Sequence, residues 1–345
     1  MNYISRRQFI NYSCLAISSG ILTSCTNTNN SNSVAKTDKN LDQVTYGTNW
    51  YAQGEHGGFY QAIATGIYED YGLKVTIRMG NAQVNGIQLL AGGAIDFYMG
   101  SSIEAISSVE AGIPTITVAA IFQKDPQVLI AHPEVGNDSL EQLKGKPIFT
   151  SSLSEKGYWQ FLKSKFNYTD DQKRPYNFSV APFLLDKNVI QQGYLTSEPF
   201  TIQQKGGFEP VVMLLADAGY LPYATTIETT KKMVEKKPDL VQRFVDASIK
   251  GWYSYLENPQ PANQLIKKDN PEMTDELLAY SLEKMKEYGI LISGDAITKG
   301  IGAMTDKRWK LFFDSIVNTG AIKPDTNYKE AFTLQFINKG IKAYQ

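Results

Sequence analysis

Leu73-Lys74-Val75-Thr76-Ile77-Arg78-Met79 sets Val75 and Ile77 against Lys74, Thr76 and Arg78, the period of two that lays one face of a strand on a core. Before it, Val44 to Trp50 predicts a strand and Gly57 to Ala64 a short helix. After it, Ala82 to Ala91 predicts a helix, Asp96 to Gly100 a buried strand and Ser102 to Ala111 a further helix. Repeated strand, helix, strand units predict an α/β fold with a largely parallel sheet covered on both faces.

Pro114 to Phe122 and Gln127 to His132 are two more apolar, β-branched runs, and the turn Lys124-Asp125-Pro126 between them marks a first crossover between two lobes. In Asp138-Ser139-Leu140-Glu141 an acid three residues after a capping residue predicts a helix ending at Gly145. The strand Pro147 to Thr150, the helix Glu155 to Phe166 and strands at Tyr176 to Pro182 and Val211 to Ala216 continue the second lobe. Beyond Ile227 helices dominate. Pro238 opens a long one with Leu240, Val241, Phe244, Val245, Ile249, Trp252 and Leu256 on one stripe, and Thr274 to Tyr288 and Lys307 to Val317 follow. These are expected to pack back on the first lobe, which then holds residues 43–124 and 224–345, with 125–223 as the second.

The chain of 345 residues can bury two such cores. Its 34 basic and 35 acidic residues, without long runs of either sign, leave no electrostatic footprint for nucleic acid. Arg6-Arg7 precede a modest apolar stretch from Leu15 to Leu22, and Leu22-Thr23-Ser24-Cys25 follows, so residues 1–24 resemble a twin-arginine export signal closed by a lipobox. Cleavage would make Cys25 the acylated N-terminus of an exported protein held at the periplasmic or outer face of a bacterial membrane by its lipid alone. Removing Arg6 and Arg7 leaves 32 basic against 35 acidic residues. Residues 25–42, rich in Asn, Ser, Thr and Lys, read as a flexible tether.

Cys14 leaves with the signal and Cys25 is acylated, so no thiol remains for catalysis, a disulfide or a metal site. Two histidines, His56 and His132, are too few for a His/Cys metal cluster, and no phosphate-loop, dinucleotide or Ser/His/Asp pattern occurs. His132 in its apolar run reads as structural.

Asn49-Trp50-Tyr51-Ala52-Gln53-Gly54-Glu55-His56-Gly57-Gly58-Phe59-Tyr60 fills the turn after the first strand. In open α/β sheets that turn faces the ligand crevice, so Asn49, Trp50, Glu55, His56 and Tyr60 are candidate contacts, against the plainer reading of core aromatics and turn glycines. Gly100-Ser101-Ser102 and Thr150-Ser151-Ser152 each lead from a strand toward a predicted helix start, where hydroxyls either cap the helix or donate to a ligand. Tyr194 and Glu198 stand in Gly193-Tyr194-Leu195-Thr196-Ser197-Glu198-Pro199-Phe200, where Pro199 should hold Glu198 extended and open a helix.

With these motifs in view, residues 44 to about 230 resemble the ABC-importer solute-binding proteins related to nitrate, sulfonate and taurine binders, in the branch that includes thiamine-pyrimidine binders and the fungal pyrimidine synthase. Asn49-Trp50, Glu55 to Ala62, Gly66 to Leu73, Gln88 to Met99 and Gly193 to Phe200 carry the likeness. The resemblance implies a type II periplasmic binding-protein fold with two lobes around a ligand cleft. It implies capture of a small molecule for an ABC permease and its ATPase, by a monomer without cofactor or catalysis, since the synthase's cysteine motif is absent. An aminopyrimidine thiamine precursor suits Glu55, His56 and Glu198 with Trp50 as a stacking surface, while sulfonate, taurine or nitrate would favour cations that these segments lack. Changing Glu198 or His56 should then weaken aminopyrimidine binding with little effect on melting temperature.

Overall fold

The computed structural model describes residues 41–81, 84–151, 154, 156–176 and 179–344. The expected export signal, Cys25 and most of the expected tether lie outside the described residues.

Among the described residues ten strands form two five-stranded sheets. They are β1 (Asp42–Gly47), β2 (Leu73–Arg78), β3 (Phe97–Gly100), β4 (Thr115–Phe122), β5 (Gln127–Ala131), β6 (Ile148–Thr150), β7 (Lys173–Pro175), β8 (Ile190–Tyr194), β9 (Val211–Leu214) and β10 (Ala224–Thr230). The first sheet runs β2-β1-β3-β10-β4 and the second β7-β6-β8-β5-β9. The chain passes from β4 to β5 through residues 123–126 and returns from β9 to β10 through 215–223. This is the α/β, two-lobe architecture of type II periplasmic binding proteins.

The sheets are mixed rather than largely parallel. β10 is antiparallel to β3 and β4, and β5 is antiparallel to β8 and β9, whereas β1 pairs β2 and β3, and β6 pairs β7 and β8, in parallel. Each antiparallel strand is the one that has just crossed from the other lobe. It enters without a helical crossover to reverse its direction, so its sense is set by the lobe it left.

Helix Pro238–Glu257 buries Leu240, Val241, Phe244, Val245, Ile249 and Trp252 as its stripe predicts, with Tyr255 rather than Leu256 completing the buried face. Trp252 stands edge-on to Phe59 and Phe122 at 5.8 and 5.7 Å, and Phe244 stacks on Phe97 at 4.0 Å. Gly58 allows this contact, because a Cβ there would lie 2.2 Å from the Trp252 ring. The glycine pair of the first turn therefore serves helix packing rather than ligand approach.

Three predicted elements differ. The run after Asp138 forms only the turn Leu140–Leu143, capped by Ser139 with Gln142 in a reciprocal box. The predicted strand at Tyr176 to Pro182 is displaced to β7, and helix Ala181–Leu185 follows. The helix placed at Glu155 begins at Tyr158. Among the described residues no helix is long and apolar enough to cross a membrane.

Candidate functional site

The first turn splits the residues it was expected to bring together. Thr48 Oγ1 donates to the Trp50 carbonyl at 2.8 Å and accepts from the Gly80 amide at 3.2 Å, tying the strand end. Asn49 and Trp50 remain half-buried, with the Trp50 ring edge-on to Tyr51 at 5.8 Å. Tyr60 is buried and donates to Asp269 at 2.9 Å, so its hydroxyl is engaged within the first lobe.

Glu55 and His56 form the short turn Gly54–His56 and are fully enclosed. Thr196, from the second lobe, donates its hydroxyl to Glu55 Oε1, so this pair joins the two lobes directly. Burial raises the Glu55 pKa to about 7, opposed by the Thr196 hydrogen bond. His56 has no hydrogen-bond partner for either ring nitrogen among the described residues, and burial lowers its pKa to about 3. His132 is structural: its Nε2 lies 2.7 Å from the Phe183 carbonyl and its ring stacks between Phe183 and Phe208.

Across the junction, helix Glu198–Gly206 starts after Ser197, with Pro199 in its first turn. Glu198 is thus a helical residue, not an extended one, because Ser197 takes the capping position. Its half-buried carboxylate accepts from the Tyr194 amide at 2.7 Å, Ser197 Oγ at 2.5 Å and the Tyr176 hydroxyl at 3.3 Å. The described helix starts only at Tyr158, and Ser154 Oγ donates to the Ser151 carbonyl at 2.8 Å, a local bond that competes with helix formation. Thr150 Oγ1, the Ser151 amide and the Tyr158 hydroxyl all point at Gln192 Oε1, at 3.0, 2.7 and 2.6 Å. Thr150 and Ser151 therefore brace Gln192.

In the first lobe, helix Ser102–Glu110 does begin after Gly100-Ser101. Ser102 is enclosed, donating to the Tyr223 carbonyl at 3.2 Å and accepting from its amide at 2.8 Å, which fixes the returning crossover. Ser101 Oγ donates to Glu104 at 3.0 Å.

Glu104, Asp125 and Tyr220 were not singled out by the sequence, yet they meet at the junction. A Cβ on Gly157 of the second lobe would lie 2.9 Å from the Tyr220 hydroxyl and 3.7 Å from Ile103. Tyr194 is raised by burial and by the charges of Asp125, Glu55 and Glu104, and Tyr220 by burial and by Asp125, Tyr158 and Glu104. Asp125 is itself raised to about 6 by burial. The available signal was position alone, since Asp125 occupies the predicted crossover turn and Glu104 follows Ser102 by two residues.

Carboxyl groups from both lobes and a crossover thus converge on two tyrosines. Among the described residues no lysine or arginine pairs with Glu55, Glu104, Asp125 or Glu198. Such a set accepts hydrogen bonds and attracts positive charge; it offers an anion little. A separate hollow of about 360 Å³ lies on helices Gln260–Asp269 and Asp275–Glu287, lined by Gln260, Asn263, Asp275 and Leu282 among others, and none of the converging groups reaches it.

A family model described as NMT1/THI5 like matches residues 53–262. Among curated relatives, a riboflavin-binding protein, RibY, of Chloroflexus aurantiacus is 24% identical over 87% of this chain and 87% of that protein. A formylaminopyrimidine-binding protein of Halalkalibacterium halodurans is 23% identical over 73% and 80%. Relatives at 21% and 23% identity also include 4-amino-5-hydroxymethyl-2-methylpyrimidine phosphate synthases. Among solved structures, the periplasmic aliphatic sulphonate binding protein SsuA of Escherichia coli has a TM-score of 0.65 at 12% identity, covering 84% of this chain and 91% of that one.

Proposed function

We infer that this chain, which belongs to the NMT1/THI5-like family, is an exported, lipid-anchored solute-binding protein that closes its two lobes on an aminopyrimidine and presents it to an ABC permease. The observation that carries the ligand class is the convergence of Glu104, Asp125 and Glu198 without a paired cation among the described residues. An aminopyrimidine offers an exocyclic amine to a carboxylate, ring nitrogens to hydroxyl donors and a flat face to Trp50. The Thr196 to Glu55 bond between lobes supports a closed, ligand-holding state.

Calorimetry of the purified chain against aminopyrimidines, riboflavin, taurine and nitrate tests the ligand class. Binding of aminopyrimidine alone supports it; tight taurine or nitrate binding with no aminopyrimidine response sinks it. Riboflavin is the second candidate, because the similar protein RibY is named for binding it. Capture without turnover is the proposed activity, and conversion of a labelled pyrimidine by the purified chain would establish an enzyme instead. Acylation at Cys25 is read by intact mass of membrane-extracted protein, and an unmodified residue 25 removes the anchor.

A further inference from the structure

Glu228, in the middle of β10, is fully enclosed in the first lobe. Its Oε1 accepts from Thr226 Oγ1 at 3.3 Å, and the Ser101 amide also donates to its carboxyl. A Cβ on residue 100 would come within 2.1 Å of Oε1, so glycine at this strand end makes room for the carboxyl. Its second oxygen, Oε2, has no partner among the described residues. Native interiors rarely leave a carboxyl oxygen unsatisfied, and such a group calls for an explanation.

Glu104 supplies the context. It accepts from Ser101 Oγ at 3.0 Å, is hydrogen-bonded by the Tyr98 side chain, and after burial its charge is the main influence raising Glu228. Glu104 also acts on Tyr194 and Tyr220, which places it toward the junction of the lobes. It is half-buried where Glu228 is enclosed, so the pair runs from the junction into the sheet. Among the described residues no lysine or arginine pairs with either. Two like-charged carboxyls held together without a counter-ion disfavour double ionisation, and a cation between them relieves that strain.

We propose that Glu104 and Glu228, braced by Tyr98 and Ser101, form a subsite on the first-lobe wall that takes a protonated nitrogen group, an ammonium or amidinium, of the bound ligand. It rests on the interlobe ligand reading above and sharpens the ligand to one carrying positive charge. Glu198 holds the opposite side of the same ligand.

The test compares two probes on one ring by calorimetry at neutral pH: 4-amino-5-hydroxymethyl-2-methylpyrimidine, whose side group is neutral, and its 5-aminomethyl counterpart, whose side group is a cation. The aminomethyl probe is expected to bind at least about tenfold tighter to the parent chain, as one charge-assisted contact gives. Glu104→Gln should bring that ratio near one. Glu228→Gln should do the same, and because Glu228 is enclosed, Glu104→Gln decides if that variant fails to fold. Equal binding of both probes by the parent, or a preference that Glu104→Gln leaves intact, overturns the subsite and leaves the aminopyrimidine reading standing. Binding of neither probe overturns both.

Discussion

The turn at Gly54–His56 and the turn at Tyr194–Glu198 each follow a strand end and each carry an acid, yet the fold treats the two acids in opposite ways. Glu55 is sealed beneath the junction with one hydroxyl partner from the other lobe. Glu198 stays half-buried, its oxygens oriented by a backbone amide and two hydroxyls. Desolvation with one donor raises the Glu55 carboxyl, whereas three donors fix where the Glu198 oxygens point. The first turn is therefore built to hold the lobes together, and the second to present an oriented acceptor.

His56 should give the largest effect that separates the turns. Its folded pKa of about 3 lies below the unfolded value of 6.5, so the unfolded state binds more protons between these limits and stability falls as pH drops through them. The loss is about 5 kcal/mol over the full window. Urea unfolding across pH 3.5–8 should show a shallower acid loss for His56→Gln than for the parent, and identical slopes would mean His56 is not buried neutral. For the same reason a change at His56 is expected to shift melting temperature, contrary to the expectation from sequence.

Glu55 works with the opposite sign. Its folded pKa of about 7 exceeds its ordinary 4.5, so the folded state binds more protons between them and stability falls as pH rises through that window, by about 3 kcal/mol. Glu55→Gln should raise stability at pH 8 and leave pH 4.5 almost unchanged. A variant that gains nothing at pH 8 would break the contrast with Glu198. Between pH 4.5 and 6.5 the two residues of this turn oppose each other, so the parent should be flatter there than either variant.

At the second turn the effect should appear in binding. Glu198→Gln is expected to weaken aminopyrimidine affinity by about 2 kcal/mol, because one buried donor loses a charged acceptor, with melting temperature of the free chain nearly unchanged. A stability loss without an affinity change would move Glu198 into the same structural role as Glu55. Trp50→Ala should have the smallest effect, about 1 kcal/mol of affinity from lost stacking, together with loss of any ligand-induced tryptophan fluorescence change. Parent-like binding and quenching would assign Trp50 to lobe packing.

Much of the site's frame was legible in the chain. The crossover turn Lys124-Asp125-Pro126, the strand end at Gly100-Ser101 and the acid at Glu198 all stand at the junction. What misled were local cues with two outcomes. Gly57 and Gly58 permit close approach, but helix Pro238–Glu257, nearly 200 residues downstream, uses it. Ser154 Oγ bonds back to the Ser151 carbonyl, and the described helix starts at Tyr158 rather than at Glu155.

Alternating hydrophobicity, turn residues and the order of elements determined the α/β class, the two crossings between lobes and the helical C-terminal third, because these are set by neighbours within a few positions. The roles of the acids were decided only by tertiary structure. Glu104 on a helix, Asp125 in a crossover and Glu228 in a central strand carry no common sequence signal, and whether a carboxyl is sealed, oriented or left with a free oxygen depends on which distant groups surround it. Glu55 and Thr196, 141 positions apart, show the reason most directly: desolvation and hydrogen bonding are properties of a place in space, which the chain acquires only when its lobes meet.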